Sequence, residues 1–178
     1  MERFAAFVRM LSRISGIFAI LLILISILVV CQMIFQRGVL GQSTIWQTEF
    51  VIFSLIAATF IGAPYILMTH GHVNVDLLPL LLGHRSRVAL ALLASCLALA
   101  FCAVVFWESI FWWYEAYSIN RLTSTIWRAR LWIPYFSVPL GMGLLCLQYI
   151  VDIWAIATGR DMPFGLKPED GLTSGDGL

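Results

Sequence analysis

The chain has 178 residues, 61% of them apolar and only 12% charged, with a mean hydropathy of +0.91. A soluble domain carries about 25% charged residues, so this composition excludes a globular protein that covers its own surface in water. The net charge of +1 removes the electrostatic case for binding nucleic acid, and the length fits one membrane domain of four spanning helices.

The first uncharged run lies between Arg13 and Arg37, with its core at 14–35. At about 1.5 Å per residue it crosses a hydrocarbon core of roughly 30 Å. It is longer than the apolar core of a signal peptide, about 7–15 residues, and ends in Phe35-Gln36-Arg37 rather than in small residues, so it reads as an uncleaved helix. Ahead of it, Phe4, Phe7, Val8 and Leu11 recur at helical spacing with Arg3, Arg9 and Arg13 largely off that stripe. This pattern predicts an interfacial helical turn leading into the membrane.

The second, third and fourth helices are expected over about 46–69, 88–114 and 131–151. Pro64 falls inside the second, and Pro134 and Pro139 inside the fourth. Membrane helices tolerate such prolines when neighbours satisfy the freed carbonyls, and a kink is expected near Pro64 or Pro139. In the connection between the second and third helices, Asp76 can cap a short interfacial helix that Gly83 ends. His84, Arg85 and Arg87 would then face anionic headgroups, although an ordinary buried connector also fits. The stretch 158–178, rich in Gly, Pro and acidic residues, reads as a flexible tail after a membrane domain of 1–157.

The expected fold is therefore all-α and integral to the membrane. With both termini inside, Arg3, Arg9, Arg13, Arg85, Arg87, Arg160 and Lys167 are cytoplasmic, and Arg37, Arg121, Arg128 and Arg130 lie outside. That bias favours the N-in, C-in orientation. An aromatic belt of Trp107, Trp112, Trp113 and Tyr114 marks an interface at the far end of the third helix.

An ion carrier places Asp, Glu, His, Lys or Arg deep in the bilayer. Here Glu49, Glu108 and Asp152 all map near helix ends, and mid-membrane polarity is limited to Ser26, Thr59 and Ser95, whose hydroxyls can bond the preceding turn. His70, His72 and His84 sit in one loop, which excludes a haem held between facing helices. His70-x-His72 could hold a metal, but a polar loop anchor is the simpler reading. Cys31, Cys96, Cys102 and Cys146 lie in apolar runs and form no CxxC pair, which argues against a disulfide framework, a zinc site or a thiol oxidase. No cofactor is expected. Small residues recur at spacing four in Ser54, Ala58 and Gly62, and again in Ala94, Ala98 and Cys102. Such stripes let another backbone approach closely, inside the chain or outside it. Glu108 and Glu115 share a helix face, and ion pairing with Arg121, Arg128 or Arg130 is one reading of that cluster. A basic surface that docks a protein is the other.

Taken in order, Trp46-Gln47-Thr48-Glu49, Ile61-Gly62-Ala63 and His72-Val73-Asn74-Val75-Asp76 resemble the signature of the small, DctQ-type membrane subunit of TRAP transporters. Phe35-Gln36-Arg37-Gly38 and Pro139-Leu140-Gly141 are similar to that family's first-helix exit and last helix. The resemblance covers roughly residues 10–157. It departs where Thr48-Glu49 stands in place of an acidic pair and where Pro64 follows Gly62-Ala63.

The family implies a sodium-driven importer of organic acids in the bacterial inner membrane. In such a system a periplasmic receptor captures the substrate, a large membrane subunit carries the substrate and sodium sites, and the small subunit serves as scaffold. Under that resemblance Ser54, Ala58, Gly62, Ala94 and Ala98 are expected to pack against the large subunit, and Arg37, Arg121, Arg128 and Arg130 to help dock the receptor. The alternative class is a stand-alone four-helix carrier or channel, working as a homo-oligomer through Glu49 or Glu108.

Overall fold

The computed structural model describes residues 2–69 and 84–158. The expected interfacial helix, His70, His72 and Asp76, and the expected tail lie outside the described residues, as do the side chains of Arg85 and Arg87. The helices are α1 (Glu2–Gly38), α2 (Gln47–Met68), α3 (His84–Ser118), the short α4 (Trp132–Tyr135) and α5 (Ser137–Ala157). Taking α4 and α5 together, four segments are long and apolar enough to cross a membrane.

The chain has very little core for so apolar a sequence. Ile20, Leu24, Leu28 and Ile34 of α1 and Leu97, Phe101, Val104 and Trp112 of α3 are all exposed. Surfaces of this kind are stable in lipid and not in water.

Packing follows the order α1 on α2, α2 on α5 and α5 on α3. The α1–α2 pair is an antiparallel hairpin. Gly16 lies against Tyr65, Ala19 against Gly62 and Met33 against Thr48, each step up one helix matched by an equal step down the other, and Gln36 reaches Gln47 at the end of the pair. Each close approach is made by a small residue. A side chain at Gly16 would strike the Tyr65 ring, and a Cβ at Gly62 would meet that of Ala19 at 3.1 Å.

The buried face of α1 runs Ala5, Val8, Ser12, Ser15, Ala19 and Ser26, continued by the half-buried Leu22, Val29, Met33 and Gln36. These steps of three and four are the seam of a left-handed helix pair. The helix is continuous from Glu2, Phe4 and Phe7 are exposed, and Ala5 and Val8 are the residues buried, against Val151 and Leu147 of α5. Small side chains let α5 approach, which turns the phenylalanines outward.

Three helices build the main core. Cys102 of α3 and Met142 and Leu145 of α5 are buried together beside Phe60, Ala63 and Leu67 of α2. Pro64 leaves α2 unbroken, whereas the last span is interrupted at Phe136. Phe136 is one turn ahead of Pro139, which has no N–H to give the carbonyl of Tyr135. Thus the irregularity expected near Pro64 or Pro139 falls at the latter. The third helix runs to Ser118, ten residues beyond Glu108 and so about 15 Å further.

Candidate functional site

Among the described residues, no Asp, Glu, His, Lys or Arg is buried as a whole. Among the described residues, the buried polar side chains are Ser12, Ser15, Ser26, Gln47, Ser54, Ser137 and Gln148. Ser15 and Ser26 return their hydroxyls to backbone carbonyls of α1 at 2.8 and 2.7 Å, and Ser137 donates to the carbonyl of Pro134 in α4 at 2.6 Å. Thr59 does the same to Leu55 at 2.8 Å. No group of three His, Cys, Asp or Glu side chains gathers among the described residues.

Among the described residues, polar side chains tie helices together at two places. Where α1 crosses the C-terminal half of α5, Ser12 donates to Oε1 of Gln148 at 2.9 Å, and Nε2 of Gln148 donates to Asp152 at 2.9 Å. Ser12 and Gln148 are each 1% exposed. At the opposite end of the α1–α2 pair, Nε2 of Gln47 donates to Oε1 of Gln36 at 2.8 Å. The remaining oxygen of Gln47 and one carboxylate oxygen of Glu49 are shielded there without a hydrogen-bond partner. Trp46, the other residue of that motif, packs its ring on Phe50 and Trp127.

The connection between α3 and α4 is a tight hairpin. Leu122 and Arg130 form a β-bridge, Thr123 N–H donates to Ala129 at 2.9 Å, and Ala129 N–H donates to the Thr123 hydroxyl at 2.9 Å. Arg128 takes a left-handed φ of 49° at its tip. This fold turns 127–130 back over the membrane domain, where it roofs a groove of about 760 Å³ between α1, α2 and the last span. The walls are apolar, with Phe18, Leu22, Phe53, Ile61 and Leu140 among them, and Arg128 and Arg130 stand at one end.

The predicted residues separate accordingly. Ser54, Ala58 and Gly62 are buried within this chain, and Gly62 meets Ala19 of α1. Ala98 and Cys102 turn inward, with Cys102 buried against α5, while Ala94 is exposed. Of the four arginines expected to lie outside, Arg121 is paired with Glu115 at 2.8 Å, both ends exposed. Arg128 therefore does not hold Glu115, and neither it nor Arg130 has a side-chain ion pair among the described residues. Arg37 ends α1.

Sequence reading missed the α1 seam, the Ser12–Gln148 tie and the groove. The seam carried a signal, the three-four spacing of Ala5, Val8, Ser12, Ser15, Ala19 and Ser26, hidden in a run apolar on every side. The groove carried none, since it depends on where the hairpin folds back.

Residues 26–159 match the family described as tripartite ATP-independent periplasmic transporters, DctQ component. A C4-dicarboxylate TRAP transporter small permease protein DctQ of Vibrio cholerae serotype O1 is 25% identical over 148 residues, covering 71% of this chain and 64% of the relative. The protein of the same name from Rhodobacter capsulatus is 25% identical over 126 residues, covering 69% of this chain and 54% of the relative. The aligned part of the chain thus spans between about half and two thirds of the length of these curated relatives. No solved structure matches.

Proposed function

The chain belongs to the DctQ component family of tripartite ATP-independent periplasmic transporters, and from that premise we propose that it is the scaffold subunit of a sodium-driven importer of organic acids. It is a membrane component of a transporter and not an enzyme. The named relatives handle C4-dicarboxylates, and that class is the first to try as substrate.

The observation that carries the scaffold reading is the contrast between a closed interior and a bare exterior. Among the described residues no Asp, Glu, Lys, Arg or His is buried as a whole, which supports placing the substrate and sodium sites on another chain. In contrast, α3 is the least buried of the four spans, and its outward side presents Ala94, Leu97, Phe101 and Val104. We assign that side to the large membrane subunit. Without a hydrophobic drive between helices in lipid, close van der Waals packing at small residues such as Ala94 is what such a contact uses. Membrane lipids cover the remaining surface, and a periplasmic receptor delivers substrate to the complex. Arg37, Arg121, Arg128 and Arg130 are its proposed docking charges in the N-in, C-in orientation. Arg121 is the weakest of these because Glu115 already holds it.

Co-purification tests the scaffold reading. Tagged at its N-terminus and extracted from native membranes, the chain is expected to bring down a large multi-helix TRAP subunit. Recovery of copies of itself alone would favour the homo-oligomeric carrier. Replacing Val104 with a photo-crosslinking residue should trap that same subunit, and a lipid-only product would remove α3 from the contact.

A further inference from the structure

We propose that the groove beneath the 127–130 hairpin is a binding site for one anionic phospholipid, its phosphate held by Arg128 and Arg130 and an acyl chain lying along α2. Three observations converge on this occupant, and none depends on the transport reading. First, the groove has the depth of one leaflet. Its α2 wall extends from Phe50 to Ile61, eleven residues or about 16 Å, against roughly 30 Å for a whole hydrocarbon core. Second, its lining is apolar along that wall, with Phe53, Ile61, Phe18 and Leu22 facing the space, and its charge is confined to one end. Third, that end carries two guanidinium groups without an ion pair among the described residues.

An arginine fork matches the geometry of a phosphate, and two forks two residues apart supply more positive charge than a zwitterionic headgroup neutralises. A phospholipid is the species that carries a phosphate directly above an apolar tail one leaflet long. The hairpin supports the placement. The Leu122–Arg130 bridge and the Thr123 hydroxyl fix its two strands, and the left-handed backbone at Arg128 is held inside that frame. The arginines are therefore positioned by the fold rather than carried on a free loop. Bound there, the lipid would fill a wedge between α1, α2 and the last span that the protein itself leaves open. The competing occupant is an acidic transmembrane helix of a partner protein.

The test is native mass spectrometry of the full chain purified from membranes. Phosphatidylglycerol and phosphatidylcholine with identical acyl chains are titrated in competition. The unmodified chain is expected to retain phosphatidylglycerol in preference. The double variant Arg128→Gln/Arg130→Gln should cut that preference roughly tenfold, and Ala57→Phe, which fills the groove, should reduce retention of both lipids. Equal retention of the two lipids by the unmodified chain would overturn the proposal without recourse to any variant. An unchanged preference in the double variant would overturn the headgroup assignment. Full retention in a correctly folded Ala57→Phe chain would place the lipid on the surface and not in the groove. A protein crosslinked through Phe53 in native membranes, with no lipid retained, would give the groove to a helix.

Discussion

The backbone of Gly141 in α5 lies directly against the carbonyl group of Phe60 in α2. That carbonyl is the one left without a helical donor by Pro64, four residues on. The proline frees the oxygen and the glycine covers it at a separation no side chain permits, a contact suited to a Cα–H donor. The same crossing brings Met142 and Leu145 onto Phe60, Ala63 and Leu67.

Gly141→Ala should accordingly be costly for so small a change, because the obstruction is backbone and cannot rotate away. Overpacking costs about 1–3 kcal/mol, and the upper part of that range is expected. Gly143→Ala is the control. Its added Cβ meets Cε2 of Phe106 at 3.0 Å, the far end of a side chain that can move. Thermal unfolding in detergent should rank Gly141→Ala well below Gly143→Ala, and equal melting temperatures would remove the close approach from the account.

The α1–α2 hairpin gives a second ranking. Gly16→Ala drives a methyl into Cβ and Cγ of Tyr65, whereas Gly62→Ala meets Ala19 at 3.1 Å and needs a small shift. Gly62→Leu cannot be accommodated and should separate the two helices. Melting temperatures should fall in the order Gly62→Ala, Gly16→Ala, Gly62→Leu. An unaffected Gly62→Leu would mean that this face meets lipid.

The buried tie between Ser12 and Gln148 should behave as a coupled pair. Ser12→Ala leaves the buried Oε1 of Gln148 without its donor, a loss of about 1–2 kcal/mol. With Gln148→Leu already in place, Ser12→Ala should cost much less. A double-mutant cycle reads the difference, and additive losses would show that the bond contributes nothing beyond packing.

Glu49 separates the scaffold from the stand-alone carrier. One of its oxygens is shielded and unpartnered in this chain, so Glu49→Gln should leave the isolated chain as stable as before or more so. In the carrier reading the same change abolishes ion movement by the purified chain. Ion flux in proteoliposomes, measured before and after the substitution, decides between them.

Much of this fold was legible from composition alone. Long uncharged runs place four spans because a hydrocarbon core sets their length. What was illegible are the pairings. That Gly141 covers the carbonyl freed by Pro64 depends on two helices distant in sequence crossing at one point. Ser54, Ala58 and Gly62 announce a close contact without naming its partner, and only in the structure is Gly62 seen to meet Ala19 of α1. Arg128 and Arg130 read as outer charges that pair with glutamate or dock a protein, and their place beside a groove shows only where the hairpin folds back.

The orientation of the bundle rests on its arginines. A reporter active only in the periplasm, fused after Leu178, should stay silent, while the same reporter inserted in the hairpin at Ser124 should be active. Activity at Leu178 would invert the assignment and move Arg128 and Arg130 away from the receptor.

The central claim is that this chain supports transport without performing it. It is tested most directly by reconstituting proteoliposomes with a sodium gradient, a C4-dicarboxylate and its receptor, with and without the large membrane subunit. Uptake is predicted only when both membrane subunits are present. Sodium-driven uptake by this chain alone would contradict the account.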